Sequence, residues 1–419
     1  MSDAKVVCVL GMHRSGTSLI TRMLNFLGVD LGPEEHLLEP AECNPKGFWE
    51  HQGFVAINDA VLEQLGGHWD EPPRCSSGWE RLPKLNALKT RARSLIQKEF
   101  ATAQQWGWKD PRTCLTLPFW QDLLPSMHYV LCGREPGSVA LSLERRDGFT
   151  LERGLSLWLE HTYQALKCTA GAPRLVVLYE DAMHDCTSEL RRLASFLGKK
   201  ELAEDREVQR AVAKFVDSDL QHHRRSDSCL DRPGLDPILA EAAAHARAVY
   251  AELKQADDGD RSQQLLGKLE AALALIRPVV RDQELRRKNL EHQQWLNNVE
   301  AAGSEIAALV PPDEKVILVD DDQWAHETPF SRDRFLPFLE RDGEYWGQPP
   351  DDDTAIRELH RLRRTGVAYM AFGSPAFWWL EHYPAFHQHL RSQFPCVLDN
   401  DRLVVFQLSH TGGIVDEKK

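Results

Sequence analysis

The chain has 419 residues, more than a single hydrophobic core comfortably serves, so two domains, or one with a helical extension, are expected. Its 50 basic and 63 acidic residues leave a net charge of -13, which excludes general nucleic-acid binding and requires any anionic ligand to be met by a local cluster of donors. Hydrophobic residues at 42% and charged ones at 27% fit a soluble globular protein, and no segment approaches the ~20 apolar residues of a bilayer span.

The chain opens Met-Ser-Asp-Ala-Lys and enters an apolar stretch, Val6 to Leu10, too short and too soon followed by Gly11 and Arg14 for a signal peptide. A cytoplasmic location is therefore expected. Nine scattered cysteines without a CxxC pair imply reduced thiols, not a disulfide framework or a structural zinc site.

Residues 5 to 10, Lys-Val-Val-Cys-Val-Leu, are Val-rich and suit a buried parallel strand. Leu19, Ile20, Met23, Leu24 and Leu27 then follow at helical spacing, which predicts strand, loop and helix in succession. The loop is Gly11-Met12-His13-Arg14-Ser15-Gly16-Thr17-Ser18. Its position aims successive backbone N–H groups and the positive end of a helix at one point, a cradle for an anion. The spacing of Gly11 and Gly16 matches that of a P-loop, yet Thr17 stands where a nucleotide triphosphatase carries Lys. Without that Lys the loop is poorly equipped for the roughly four negative charges of a nucleoside triphosphate and its Mg²⁺. Arg14 offers instead a planar fork for a less charged group.

Further along, Met127 to Cys132 and Leu175 to Tyr179 are expected as core strands, with helices at Val139 to Glu144 and Leu155 to Leu166. Such alternation implies a parallel sheet covered by helices. From about 199 the sequence turns to long polar helices, Ile238 to Leu253, Gln263 to Ile276 and Gln283 to Leu309, with Pro278 as an interruption. After Pro311-Pro312 a smaller α/β pattern begins: a strand at Val316 to Val319, a helix at Thr354 to Arg364, a strand at Ala368 to Phe372, a helix at Pro375 to Ser392, and strands around Val397 and Leu403 to Leu408.

The segment His13-Arg14-Ser15-Gly16-Thr17-Ser18 resembles the 5'-phosphosulfate loop of sulfotransferases that use 3'-phosphoadenosine-5'-phosphosulfate (PAPS). A second motif strengthens the resemblance: the strand Tyr129 to Cys132 ends in Gly133-Arg134-Glu135-Pro136, and Ser142 follows Arg134 by eight positions. In that family an Arg and a Ser so spaced bind the 3'-phosphate, and two helical turns do let a guanidinium and a hydroxyl converge on one phosphate. Asn44-Pro45-Lys46-Gly47-Phe48-Trp49-Glu50, Trp108-Lys109-Asp110-Pro111-Arg112 and Tyr179-Glu180-Asp181 resemble segments of its bacterial and Golgi-type branches. The resemblance covers about residues 5 to 225 and ends near the basic run Leu220 to Arg225.

It implies a fold of class α/β, a P-loop three-layer parallel sheet flanked by helices over residues 1–235; the pattern beyond it is expected to form a helical connector (236–309) and a second, smaller α/β domain (310–419). It implies sulfuryl transfer from PAPS to a hydroxyl or amine, with 3'-phosphoadenosine-5'-phosphate (PAP) as product and no metal. A small-molecule or glycan acceptor is the expected partner. Donor binding is expected of His13, Arg14, Ser15, Gly16, Thr17, Ser18, Arg134 and Ser142. Two other readings stand beside it, a P-loop kinase of small molecules using ATP and a catalytically inactive nucleotide-binding protein.

Such chemistry needs cations at the leaving group and a positioned base. Arg14 is expected in the first role, with Lys109 as a second cation. By resemblance to branches that use a Glu shortly after the loop, Glu35 is expected as the base, with Glu34, Glu50 and Asp110 as alternates. Adjacent carboxylates at 34 and 35 raise each other's pKa if buried. Trp49, Trp69, Trp106 and Trp108 are candidates for stacking on an acceptor, with Trp106 expected in the core. In the C-terminal unit, Asp320-Asp321-Asp322 and Asp351-Asp352-Asp353 are expected as strand-end and helix caps. Segments 341–347 and 377–379 are expected to contribute to acceptor choice.

Overall fold

The computed structural model describes residues 4–41, 44, 47–216, 230, 234–254, 259–324 and 327–409. Pro45, Lys46 and the basic run Leu220 to Arg225 lie outside the described residues.

Strand β1 (Lys5–Leu10) is buried along nearly its whole length. Val6, Cys8 and Leu10 join one apolar cluster and Val7 and Val9 another, so the strand is covered on both faces, as parallel strands require. Helices α1 (Thr17–Phe26), α2 (Gln52–Gln64) and α3 (Asn86–Phe100) lead to β2 (Gln105–Lys109). Helix α4 (Thr113–Leu123) leads to β3 (Met127–Gly133), and α5 (Pro136–Asp147) and α6 (Leu151–Cys168) lead to β4 (Arg174–Leu178). The two strands expected at 127 and 175 thus form within one residue of their expected ends. All four strands run parallel, in the order β2-β1-β3-β4.

That order places a functional site. The chain leaves β1 for β2 on one side and takes up β3 on the other, so strand order reverses between β1 and β3. Open α/β sheets hold ligands at the carboxyl ends of strands at such a reversal. Leu10 pairs with Leu131 and Val9 with Lys109, which brings the residues beyond all three strand ends to one edge of the sheet.

Helices α2 to α6 cover one face, where Phe54 stacks on Trp108 (4.8 Å) and Phe100 on Trp106 (4.4 Å). The other face is covered by α1 and by α7 (Tyr179–His184), α8 (Cys186–Leu197), α9 (Lys200–Ala203) and α10 (Arg206–Val216). This is the three-layer arrangement expected. The helices beyond 236 do not stand apart from it. Leu239, Ala242, Ala246 and Val249 of α11 (Pro237–Leu253), and Leu265, Leu269, Leu273 and Ile276 of α12 (Gly259–Leu309), are buried in the first of these clusters. The compact units accordingly span 1–283 and 284–419, in place of a separate connector over 236–309. Pro278 lies inside a continuous α12 and does not end it.

In the second unit β5 (Val316–Val319) pairs in parallel with β6 (Phe335–Pro337), and a two-stranded ribbon of β7 (Glu340–Arg341) and β8 (Glu344–Tyr345) follows. After α13 (Asp352–Arg363), β9 (Tyr369–Gly373) pairs in parallel with β5. The helix expected over 375–392 is divided into α14 (Trp379–His382) and α15 (Pro384–Gln393). Tyr383, at φ -112° and ψ 73°, leaves the helical region because the following proline ring crowds it there. Strands β10 (Cys396–Asp399) and β11 (Leu403–Gln407) complete a sheet of order β10-β11-β9-β5-β6. Asp351 caps α13 by accepting from Thr354 N at 2.7 Å. Asp321 instead gathers donors, the Tyr345 hydroxyl at 3.1 Å and the indoles of Trp378 (2.8 Å) and Trp379 (3.0 Å).

Candidate functional site

A cavity of about 400 Å³ opens at the carboxyl edge of the first sheet, lined by the loop after β1, the end of β2 and the turn after β3. The loop is shaped by backbone that few residues adopt. Arg14 has φ 69° and Gly16 φ 79°. A Cβ on Gly16 would lie 2.3 Å from Tyr179 Cδ2, so only glycine fits there. Helix α1 begins at Thr17 without a side-chain cap, which leaves first-turn N–H groups for a ligand in the cavity. His13, Arg14, Gly16, Thr17 and Ser18 line it, whereas Ser15 is buried beneath, its N–H bonded to Met12 O at 3.1 Å.

The two motifs read from the sequence meet here. Arg14 Nε donates to Ser142 Oγ at 2.8 Å, and Arg134 Nη1 donates to the Arg14 carbonyl at 2.8 Å. Arg14 and Arg134 line the same cavity, and Ser142 on α5 joins them through Arg14. The Arg134 guanidinium lies 4.6 Å from the Tyr179 ring centroid, and its carbonyl accepts from Trp158 Nε1 at 3.0 Å. Its Nε is buried without a hydrogen-bond partner. A buried donor left unmatched costs about 1–3 kcal/mol, which an anion in the cavity could recover.

Lys109, the last residue of β2, meets Glu50. Its Nζ lies 2.6 Å from Glu50 Oε1 and 3.3 Å from Ser18 Oγ, and the two side chains are only 1% and 7% exposed. Both line the cavity. Burial raises the Glu50 carboxyl above its ordinary pKa, the Lys109 ammonium works against that, and Asp110 adds to it. Trp49 at φ 58° makes the sharp turn that leads into Glu50.

Glu35, expected as the base, stands away from the cavity. Glu34 and Glu35 sit on a short 3-10 turn following Pro33, both exposed to water, and neither lines the cavity. Asp110 is fully buried but committed elsewhere, accepting from Asn58 Nδ2 (2.8 Å), Arg112 N (3.1 Å) and Arg112 Nη1 (3.0 Å). Of the four tryptophans, Trp69 lines the cavity, with its ring 4.3 Å from that of His13. Trp106 and Trp108 are core residues, and Trp49 packs on Arg22 and Phe215. Burial, reinforced by Arg112 and Arg146, holds the His13 imidazole well below the usual histidine range, so it is neutral near pH 7.

Some lining residues escaped the sequence reading. Arg146 stands one helical turn past Ser142, a spacing that could have drawn notice. Phe215, on α10, carries no local signal of its role. His36, His51 and Glu99 bring potential ligand atoms within 4.8 Å of one another outside the cavity. His51 Nδ1 accepts from Gly53 N at 3.1 Å, which puts the imidazole proton on Nε2 and leaves no free lone pair for a metal.

Residues 7–204 match the model of a family described as the sulfotransferase family. No curated protein matches the chain. Among solved structures, retinol dehydratase in complex with androsterone and inactive cofactor PAP is 17% identical, with 51% of this chain and 64% of that chain covered and a TM-score of 0.28. The chain therefore spans less than two thirds of that structure's length. Sulfotransferase STF9 from Mycobacterium avium is 14% identical over 60% of this chain and 77% of its own, with a TM-score of 0.36. The sulfotransferase domain from the curacin biosynthetic pathway is 18% identical over 46% and 74%, with a TM-score of 0.32.

Proposed function

We propose, from the premise that residues 7–204 are a domain of the sulfotransferase family, that the chain transfers a sulfuryl group from PAPS to a hydroxyl or amine of a small-molecule acceptor. The observation that carries this reading is the convergence of Arg14 and Arg134 on one cavity. PAPS is anionic at both ends, and a cavity of about 400 Å³ lined by Arg14, Lys109, Arg112, Arg134 and Arg146 suits a ligand of that size and charge. Arg134 and Ser142 would hold the 3'-phosphate, and Arg14 with the N–H groups at the start of α1 would hold the 5' end.

In this assignment Glu50 takes the proton from the acceptor. The acceptor oxygen or nitrogen forms its bond to sulfur as the bond from sulfur to the 5'-phosphate oxygen breaks, and the electron pair leaves with that oxygen. Burial suits Glu50 to the task, since it raises proton affinity toward the working pH. Neutralising Glu50 removes the counter-ion of Lys109, whose ammonium is then available to the charge growing on the leaving oxygen. Arg14 stays protonated throughout and acts only by its charge. Trp69 and His13 form the wall offered to the acceptor, and an indole with an apolar face and a polar edge suits a hydroxylated ring such as a sugar.

Thermal unfolding in the presence of nucleotides tests the reading. PAP at one hundred times its Kd should stabilise the domain by about 2.7 kcal/mol, a rise of roughly 5 °C or more in Tm. ATP with Mg²⁺ should give much less. Stabilisation by ATP with Mg²⁺ and none by PAP would favour a P-loop kinase and end the sulfotransferase assignment.

A further inference from the structure

Helix α11 lies beyond the family match, which ends at residue 204, and its sequence suggests no chemistry. It nevertheless reaches the corner that carries Arg134. The Tyr250 hydroxyl donates to Glu180 Oε2. The other oxygen of the same carboxylate, Oε1, accepts the backbone N–H of Glu135 at 3.2 Å. Glu135 in turn caps α5, accepting from Gly137 N at 3.0 Å and Ser138 N at 2.5 Å, and α5 carries Ser142. Beside this chain of contacts, Lys254 Nζ lies 2.5 Å from Asp181 Oδ2. Leu253 packs so closely on Gly133 that a Cβ there would come within 2.8 Å of it.

The corner between β3 and α5 is thus held from both sides. Arg134 stands between Gly133, pressed by Leu253, and Glu135, tied through Glu180 to Tyr250. A guanidinium that grips a phosphate by two parallel bonds tolerates little displacement. Burial and the neighbouring Glu180 raise the Tyr250 pKa, so its hydroxyl stays a donor at neutral pH.

We infer that Tyr250 is a positioning residue for the 3'-phosphate clamp, acting through Glu180 on Arg134 and Ser142, so that helix α11 sets the discrimination between nucleotides with and without a 3'-phosphate. The inference rests on the donor assignment above.

Calorimetric titration of Tyr250→Phe with PAP and with adenosine-5'-phosphosulfate, which lacks the 3'-phosphate, tests it. The variant should bind PAP about tenfold more weakly and adenosine-5'-phosphosulfate within twofold of the unaltered protein. Tyr163→Phe is the control, because Tyr163 makes a similar bond to Glu270 (2.6 Å) from α6 to α12, away from the cavity. It should leave both affinities unchanged. Equal weakening of both nucleotides by Tyr250→Phe, unchanged binding of PAP, or the same selective loss in Tyr163→Phe would each overturn the role of Tyr250. Failure of the unaltered protein to bind PAP at all would overturn the donor assignment first, and the role of Tyr250 with it.

Discussion

Glu50→Gln should lower kcat/KM for sulfuryl transfer by about 10²–10⁴-fold, the usual contribution of a positioned general base. The amide keeps the shape of the carboxylate, and its oxygen can still accept from Lys109, but it cannot take the acceptor proton. The cost reaches beyond chemistry, since Lys109 is 1% exposed and would lose its counter-charge. Stranding a buried ammonium costs about 3–5 kcal/mol, so the Tm should fall as well, and activity must be measured well below it. The affinity for PAP separates the two effects, because a folded Glu50→Gln protein should bind it almost normally. The pH profile gives a second check. A base works only when deprotonated, so activity falls as pH drops through the pKa of Glu50. Burial raises that pKa, and the acid limb should therefore lie above the ordinary carboxylate range and disappear in Glu50→Gln. An acid limb that persists in the variant, with activity within threefold, would remove Glu50 from the mechanism.

Arg134→Ala should weaken PAP binding by about 10²–10⁴-fold. Each bond from a guanidinium to a phosphate contributes about 1.5–3 kcal/mol, and a forked contact makes two. The substitution also removes the donor to the Arg14 carbonyl, now 2.8 Å away, and so loosens the loop that faces the 5' end. Most of the loss should still follow the 3'-phosphate. Competition between PAP and adenosine-5'-phosphosulfate in the variant should show the preference of the unaltered protein largely erased. If both ligands weaken in parallel and the preference survives, Arg134 is a structural support of the loop and the 3'-phosphate is held elsewhere.

Local pattern carried much of the first unit. The run from Val6 to Val9, three valines and Cys8, is apolar without alternation, and that alone separates a strand covered on both faces from one with a wet side. The loop between it and α1 was legible because glycine spacing and a helix start are both short-range properties. Arg134 and Ser142 were legible for the same reason, since their separation is measured along one strand end and one helix. Interruptions were harder to judge. Pro384 ends a helix where α14 has made a single turn, while Pro278 sits inside a long helix whose apolar residues on its amino-terminal side are buried in a core. The conformational cost of proline is local, but the packing that outweighs it is not.

The base is the clearest case of what sequence left open. Glu34, Glu35 and Glu50 are the same side chain within 17 residues, and nothing in their neighbours says which will be dry. That depends on β2, more than 50 residues on, delivering Lys109 to one of them, and on Trp49 turning the backbone so that Glu50 is the one delivered. Tyr250 is farther still, meeting Glu180 across 70 residues. The sequence by itself determined the class of fold, the glycine loop between β1 and α1 and the spacing of its partner motif, because these rest on the periodicity and chemistry of adjacent residues. Only the tertiary structure decided which carboxylate is buried against Lys109, that Arg14 and Arg134 share one cavity, and that α11 belongs to the core, because burial and charge pairing depend on segments that become neighbours only when the sheet assembles.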